Sequence, residues 1–304
     1  MPRFVISKPH CSRGTVPPLL PRPLMKLPRF LVPLLAVNAV VGIAAGADAS
    51  KGKVIWNNPV DFTEPGLTHH QYASDAMKRE VGYSVWVPPG YASSPERYPV
   101  VYFLHGSGGT ESADAPAFSH MLAERLAAKK IPPVICVFPN GGLSGYRDHP
   151  ETGVNVETMI IRELVPLIDR SYRTRTDRES RVLAGFSMGG GGAVRLALKH
   201  SDLFSAAASW AGALSPHHDG EKAGPAFDEG LLEPSRPRVR LLMIVGYKDL
   251  TWPWHAPALA ALEAAHYPFT LHTIADLGHE LGRYYELTGD ELIGFVTAGF
   301  SPSK

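Results

Sequence analysis

Solid apolar runs alternate along this chain with segments in which apolar residues recur at three- and four-residue spacing. Tyr83-Ser84-Val85-Trp86-Val87 alternates and stops at Pro88-Pro89-Gly90, which predicts a strand entering a turn. Pro99 to Leu104 is continuously apolar and rich in β-formers, as a strand buried on both faces would be, and it ends at His105-Gly106-Ser107-Gly108-Gly109. From about Ala113 to Lys129, Phe118, Met121, Leu122 and Leu126 fall at helical spacing. Val134 to Phe138 predicts a further strand, closed by Pro139-Asn140-Gly141-Gly142. Met159, Ile160, Leu164 and Leu167 form an apolar stripe on an amphipathic helix over Val156 to Ile168. Val182-Leu183-Ala184 predicts a strand end and Ala193 to Lys199 a helix; Ala206 to Trp210 and Val239 to Val245 predict strands. Pro257 to His266 fits a helix with its proline in the permitted first turn, Phe269 to Ile274 a strand, and a final helix falls within Tyr284 to Phe300. Between them, Ala211 to Arg238 carries prolines and glycines without a sustained period, which predicts a long excursion or lid. Strands alternating with helices, several of them solidly apolar, predict a parallel sheet covered on both faces, with ligands bound beyond the carboxyl ends of its strands.

Residues 1–49 break this pattern. Basic residues and prolines are spread over the first thirty positions, Phe30 to Gly46 is almost wholly apolar, and Ala45-Gly46-Ala47 and Ala47-Asp48-Ala49 are small-x-small patterns. That order predicts a cleaved secretory signal peptide, with Met25 as an alternative start; a retained membrane anchor is the rival, disfavoured by Pro33 and Asn38 and by the shortness of the apolar run. Setting aside 49 of 304 residues leaves 255, at 50–304, enough for one large α/β domain of a secreted or periplasmic protein without stable membrane insertion. Thirty basic against 29 acidic residues, a formal charge of +1, gives no electrostatic case for nucleic acid. Cys11 lies in the leader, so Cys136 inside its apolar run has no intramolecular disulfide partner and is expected as core packing. No Cys/His metal signature is present in the sequence.

Gly185-Phe186-Ser187-Met188-Gly189 is a G-x-S-x-G nucleophile elbow, in which a strained strand-to-helix turn tolerates only small residues two before and two after the serine. A serine hydroxyl needs a base and an orienting carboxylate to become nucleophilic. Asp249 follows the strand ending at Val245, and His279 follows the strand ending near Ile274, so the order Ser187, Asp249, His279 is that of α/β-hydrolases. Asp276, three residues before His279, is the competing acid. Among the thirteen histidines, His272, His255 and His266 border or lie in predicted elements, while His69-His70 and His217-His218 are assigned to polar loops, all with structural or solvated roles. The oxyanion of an acyl-transfer intermediate needs donors: the Met188 N–H supplies one and the glycine-rich loop the other, from Ser107, with Gly106 as the fallback. His105 is expected to brace that loop by hydrogen bonding.

These residues resemble the esterase D-like family of α/β-hydrolases, which includes feruloyl and acetyl xylan esterases, S-formylglutathione hydrolases and bacterial mycolyltransferases. The resemblance runs from roughly Tyr83 to the C-terminus, carried by Tyr83 to Tyr91, Leu104 to Gly109, Glu157 to Asp169, Gly185 to Gly190 and Gly246 to Asp249. It implies an α/β-hydrolase sandwich, a mostly parallel central sheet with helices on both faces, and a serine esterase that uses Ser187, Asp249 and His279 and needs no cofactor or metal. Glu280-Leu281-Gly282-Arg283-Tyr284 stands where carbohydrate-active members often carry a tryptophan, which leaves the substrate open. The expected substrate is a small-molecule or polysaccharide-linked ester, with a short or aromatic acyl group on a carbohydrate or similar alcohol. The polar residues of Ala211 to Arg238 favour this over lipid, and Trp210, Trp252 and Trp254 are either apolar surfaces near the site or core. Acyl transfer by the same triad and a catalytically silent binding scaffold are the alternatives.

Overall fold

A computed structural model of the chain describes residues 3–4, 47–48, 53–215 and 225–300. Apart from two-residue strands at Arg3–Phe4 and Ala47–Asp48, the expected leader lies outside the described residues, as do His217 and His218.

Eight strands build the central sheet: β1 (Leu67–Ser74), β2 (Arg79–Trp86), β3 (Val100–Leu104), β4 (Ile135–Pro139), β5 (Arg181–Phe186), β6 (Ala206–Trp210), β7 (Arg240–Gly246) and β8 (Thr270–Ile274). Their order is β1-β2-β4-β3-β5-β6-β7-β8, with Arg3–Phe4 paired parallel outside β8. Strands β3 to β8 run parallel, whereas β2 is antiparallel to both β1 and β4. Every residue of β3, β4, β5 and β6 is buried, as solid apolar runs covered on both faces require. Cys136 is a free buried thiol in β4.

Helices α1 (Ala115–Ala127) and α5 (Leu281–Thr297) cover one face, where Phe118, Leu122, Leu292 and Ile293 pack with Phe103 and Trp210. The other face is covered by α2 (156–171), α3 (Met188–Lys199) and α4 (Trp252–Ala264), through Ile160, Leu164, Val194, Leu198 and Leu262. This is the α/β-hydrolase fold, and no helix among the described residues is long and apolar enough to cross a membrane.

Four elements depart from the sequence expectation. His69 and His70, expected in a loop, lie on β1, whose inward and outward residues alternate along a half-polar edge. Edge strands carry polar residues because one side of their ladder faces water, so the apolar signal is halved. The α2 helix contains a π-helical stretch, Met159–Leu164, just before Pro166, which cannot donate to the carbonyl four residues back and crowds it. Helix α4 begins five residues earlier than expected: Pro253 holds the first-turn position, and Pro257 lies inside the helix. Helix α3 starts at Met188 instead of Ala193. Its glycines are poor helix formers, but they allow an approach no side chain would permit: a Cβ on Gly191 would lie 2.2 Å from the Ala213 carbonyl oxygen. The described parts of the Ala211 to Arg238 excursion include a short 3-10 turn, Glu229–Leu232, and anchor Phe227 and Leu232 in the core.

Candidate active site

Between β5 and α3 the chain must reverse within one residue, and Ser187 takes the strain with φ 55° and ψ −118°. A Cβ on Gly189 would stand 1.9 Å from the Leu104 carbonyl oxygen, and one on Gly185 would stand 2.5 Å from the Gly189 backbone. Those contacts are the physical content of the two glycines in the motif. The Ser187 N–H donates to the Trp210 carbonyl at 2.9 Å, which ties the turn to β6.

Ser187 Oγ lies 2.9 Å from His279 Nε2, and His279 Nδ1 lies 2.9 Å from each oxygen of the Asp249 carboxylate. The loops bearing the acid and the histidine are stitched together, since the Tyr247 N–H donates to Ile274 and the Lys248 N–H to Leu277. The His279 ring also packs on Phe186, with centroids 4.7 Å apart. The three side chains singled out from chain order therefore meet at the carboxyl ends of β5, β7 and β8. Asp276 does not join them: it is exposed and pairs with Lys248 at 2.9 Å.

Asp249 is fully covered, and burial pushes its carboxyl up; hydrogen bonds from His279, from the Thr251 backbone and hydroxyl, and from Tyr284 outweigh this and leave it below the usual range. Thr251 donates to Oδ1 through its N–H at 2.8 Å and its hydroxyl at 2.7 Å. Tyr284 donates to Oδ2 at 2.8 Å while accepting the Gly246 N–H at 2.9 Å. Sequence reasoning missed Thr251 and Tyr284. Tyr284, Thr288, Leu292 and Val296 recur every fourth residue on α5, so the tyrosine is indistinguishable from core lining before its hydroxyl is located.

The loop after β3 folds over the serine. A turn closed by Gly109 N–H to the Gly106 carbonyl, 3.0 Å, with Gly108 at φ 80°, leaves Ser107 exposed at its tip. A Cβ on Gly106 would lie 3.4 Å from the Ser187 Cβ, so the loop backbone borders the nucleophile. The Met188 N–H opens α3, where it has no carbonyl partner within the helix and adds to the positive end of its dipole. His105 braces the loop: its Nε2 accepts the Gly141 N–H at 2.9 Å and its Nδ1 faces the Gly106 carbonyl at 2.8 Å, and burial lowers its pKa. Glu111 continues the brace, unanticipated from sequence. Completely buried, it accepts the Asn58 N–H, the Asn58 side-chain amide and the Asn140 side-chain amide, and lies 3.1 Å from His69 Nε2.

Trp210 is core, its Nε1 donating to Thr288 Oγ1 at 2.9 Å, while Trp252 is half-buried against Tyr247. Among the described residues no group of three or more His, Cys, Asp or Glu is placed to hold a metal. A strained serine, a histidine base, a buried carboxylate and two outward backbone segments form a constellation suited to nucleophilic acyl transfer.

The family model described as "Putative esterase" matches residues 74–293. Esterase Rv1288 of Mycobacterium tuberculosis is 36% identical over 160 residues, 51% of this chain and 34% of that protein. The endo-1,4-beta-xylanase/feruloyl esterase of Xylanibacter ruminicola is 32% identical over 153 residues, 47% of this chain and 21% of that protein. The chain thus spans about a third of the first relative and about a fifth of the second. Among solved structures, a ferulic acid esterase superposes with a TM-score of 0.66 at 24% identity, over 77% of this chain and 98% of that one. An S-formylglutathione hydrolase from Agrobacterium tumefaciens gives 0.66 at 18% identity, over 81% and 100%.

Proposed function

This chain belongs to the Putative esterase family, and on that premise we propose that it is an exported serine carboxylesterase in which Ser187 is acylated and water then hydrolyses the acyl-enzyme. The observation that carries the reading is the continuous hydrogen-bonded line from Ser187 Oγ through His279 to Asp249. His279 Nε2 takes the serine proton as Oγ attacks the acyl carbon, and returns it to the departing alkoxide; water repeats the sequence in reverse to release the acid. Asp249 fixes the imidazole orientation and stabilises its cationic form. The N–H groups of Met188 and Ser107 face the developing oxyanion, and losing one such donor typically costs about 10²–10³ in turnover.

The substrate we propose is a short or aromatic acyl ester of a carbohydrate or similar polar alcohol. Two relatives are named as feruloyl or ferulic acid esterases. The described part of the excursion carries Asp228, Glu229 and Glu233, a rim unsuited to docking on a lipid droplet. Export is supported by the basic-then-apolar order of residues 26–46 and the small-x-small pattern that follows, and predicts a mature N-terminus near Ser50 at the head of the 50–304 domain. Deacylation by a sugar or lipid alcohol in place of water is the alternative that the same triad allows. A panel of acetyl, butyryl, feruloyl and palmitoyl p-nitrophenyl esters, assayed with and without acceptor alcohols, tests both. Preference for palmitoyl or activation at an oil-water interface contradicts the substrate class, and absence of any turnover or burst contradicts the esterase.

A further inference from the structure

A cavity of about 640 Å³ runs along α3, walled by the loop after β4 on one side and by the described parts of the excursion after β6 on the other. Its inner end is formed by Met188, Gly191 and Ala213, and the last two donate their N–H groups to the Ser187 carbonyl at 3.0 and 2.9 Å. The cavity therefore abuts the nucleophile, although Ser187 and His279 stand just beyond its lining. From Met188 to Lys199 it follows the helix for about 16 Å at 1.5 Å per residue.

Its lining combines apolar groups, Leu143, Met188 and Phe227, with cations, Arg147, Arg195 and Lys199. Along α3, Arg195 and Lys199 follow Met188 by about two and three turns, so the helix carries its cations away from the serine. Two of the cations share a single carboxylate below them, since Arg195 and Lys199 both bond Glu157 at 2.8 Å, which leaves one positive charge in excess. Arg147 is different. Half-buried and beside Arg195, its guanidinium makes one hydrogen bond among the described residues, to the Ala226 carbonyl at 2.5 Å, and has no carboxylate of those residues within ion-pair distance. Among the described residues the one acidic group on the cavity wall, Asp228, uses its carboxylate to accept the Gly230 N–H. A half-buried guanidinium with no carboxylate in contact, in a group where three cations share the nearby Glu157 charge, is complementary to an incoming carboxylate, which it grips through two parallel N–H bonds.

We propose that this cavity receives the arm of the ester remote from the reacting carbon, and that Arg147 is a specificity-determining residue binding a carboxylate on that arm. The inference rests on Ser187 as nucleophile and names a substrate class: esters with an anionic group on the order of 10 Å from the scissile carbon, the depth at which Arg195 and its neighbour lie.

Matched pairs of esters test it on either arm. For the acyl arm, the mono-p-nitrophenyl ester of azelaic acid is compared with p-nitrophenyl nonanoate; for the alcohol arm, acetylated ω-hydroxyoctanoic acid is compared with octyl acetate. In one of the two series kcat/KM for the anionic member is expected to exceed that of its neutral partner by about tenfold, one charge-assisted bond's worth. Arg147→Gln should bring that ratio close to one, Arg147→Lys should retain part of it, and Lys199→Gln should change it less, because the Lys199 ammonium is engaged by Glu157. A ratio at or below one in both series, or a preference untouched by Arg147→Gln, overturns the proposal while leaving the esterase reading in place. Failure to hydrolyse any ester overturns both.

Discussion

Replacing Tyr284 by phenylalanine removes one oxygen and leaves the ring, which packs on Phe186 at 5.8 Å between centroids. That oxygen is completely buried and joins two groups: it donates to Asp249 Oδ2 at 2.8 Å and accepts the Gly246 N–H at 2.9 Å. A hydrogen bond to a charged acceptor contributes about 1.5–3 kcal/mol, and an orphaned buried N–H costs about 1–3 kcal/mol. The two overlap, because the loop relaxes once for both, so Tyr284→Phe is expected to lose about 2–4 kcal/mol near pH 7. The loss also has a pH signature. Asp249 is held below the ordinary carboxylate range, and an acid whose folded pKa is depressed contributes stability above the unfolded value, near 4, which disappears as pH falls through the folded one. Removing a donor raises the folded value toward the unfolded one, so the penalty is greatest at neutral pH and shrinks below about pH 4. Loosening the carboxylate that orients His279 should also lower kcat by about 10-fold to 10²-fold. Urea unfolding at the two pH values with steady-state turnover of p-nitrophenyl acetate reads both effects. A variant within about 0.5 kcal/mol of wild type at pH 7 with unchanged kcat would refute the bridging role assigned to this hydroxyl.

Asp114 at the start of α1 makes no capping bond, and burial raises its carboxyl to about 6. An acid with a raised folded pKa destabilises the fold as pH climbs through that value, so Asp114→Asn should gain about 1–2 kcal/mol at pH 7.5 and nothing at pH 4 in urea unfolding; equal effects at both would contradict this. Glu157 is buried under Arg195, Lys199 and His200, whose hydrogen bonds outweigh the upward push of burial and hold its carboxyl well below the usual range. Glu157→Gln leaves the buried Arg195 uncompensated and should cost about 3–5 kcal/mol in thermal unfolding; a loss under about 1 kcal/mol would mean the cations find other partners. Gly189→Ala places a carbon 1.9 Å from the Leu104 carbonyl oxygen, so β3 and α3 must separate and esterase turnover should vanish; wild-type activity would show that the elbow is not as tight as described.

The parts of this molecule legible in its sequence are those whose signal is local. Strands β3, β4 and β7 announce themselves as unbroken apolar runs because both faces are covered. The elbow is visible because two backbone clashes force two glycines, and Asp249 and His279 because each follows a strong strand. What escaped depends on partners distant in sequence. Strand β1 needs β2 beside it before its histidines look like strand residues. Helix α3 is held in place by contacts that override four poor helix formers, and the π stretch of α2 answers to a proline that an apolar stripe does not weigh. Glu111 is tied to Asn58 and Asn140, 53 and 29 residues away, and no spacing rule foretells that association.

Everything proposed for this site depends on Ser187 being the nucleophile. Reaction with a fluorophosphonate, followed by intact mass and peptide mapping, tests it in one measurement. A single adduct, located on Ser187 and absent from Ser187→Ala, is the predicted result; an adduct on another residue with Ser187 unmodified would contradict the account.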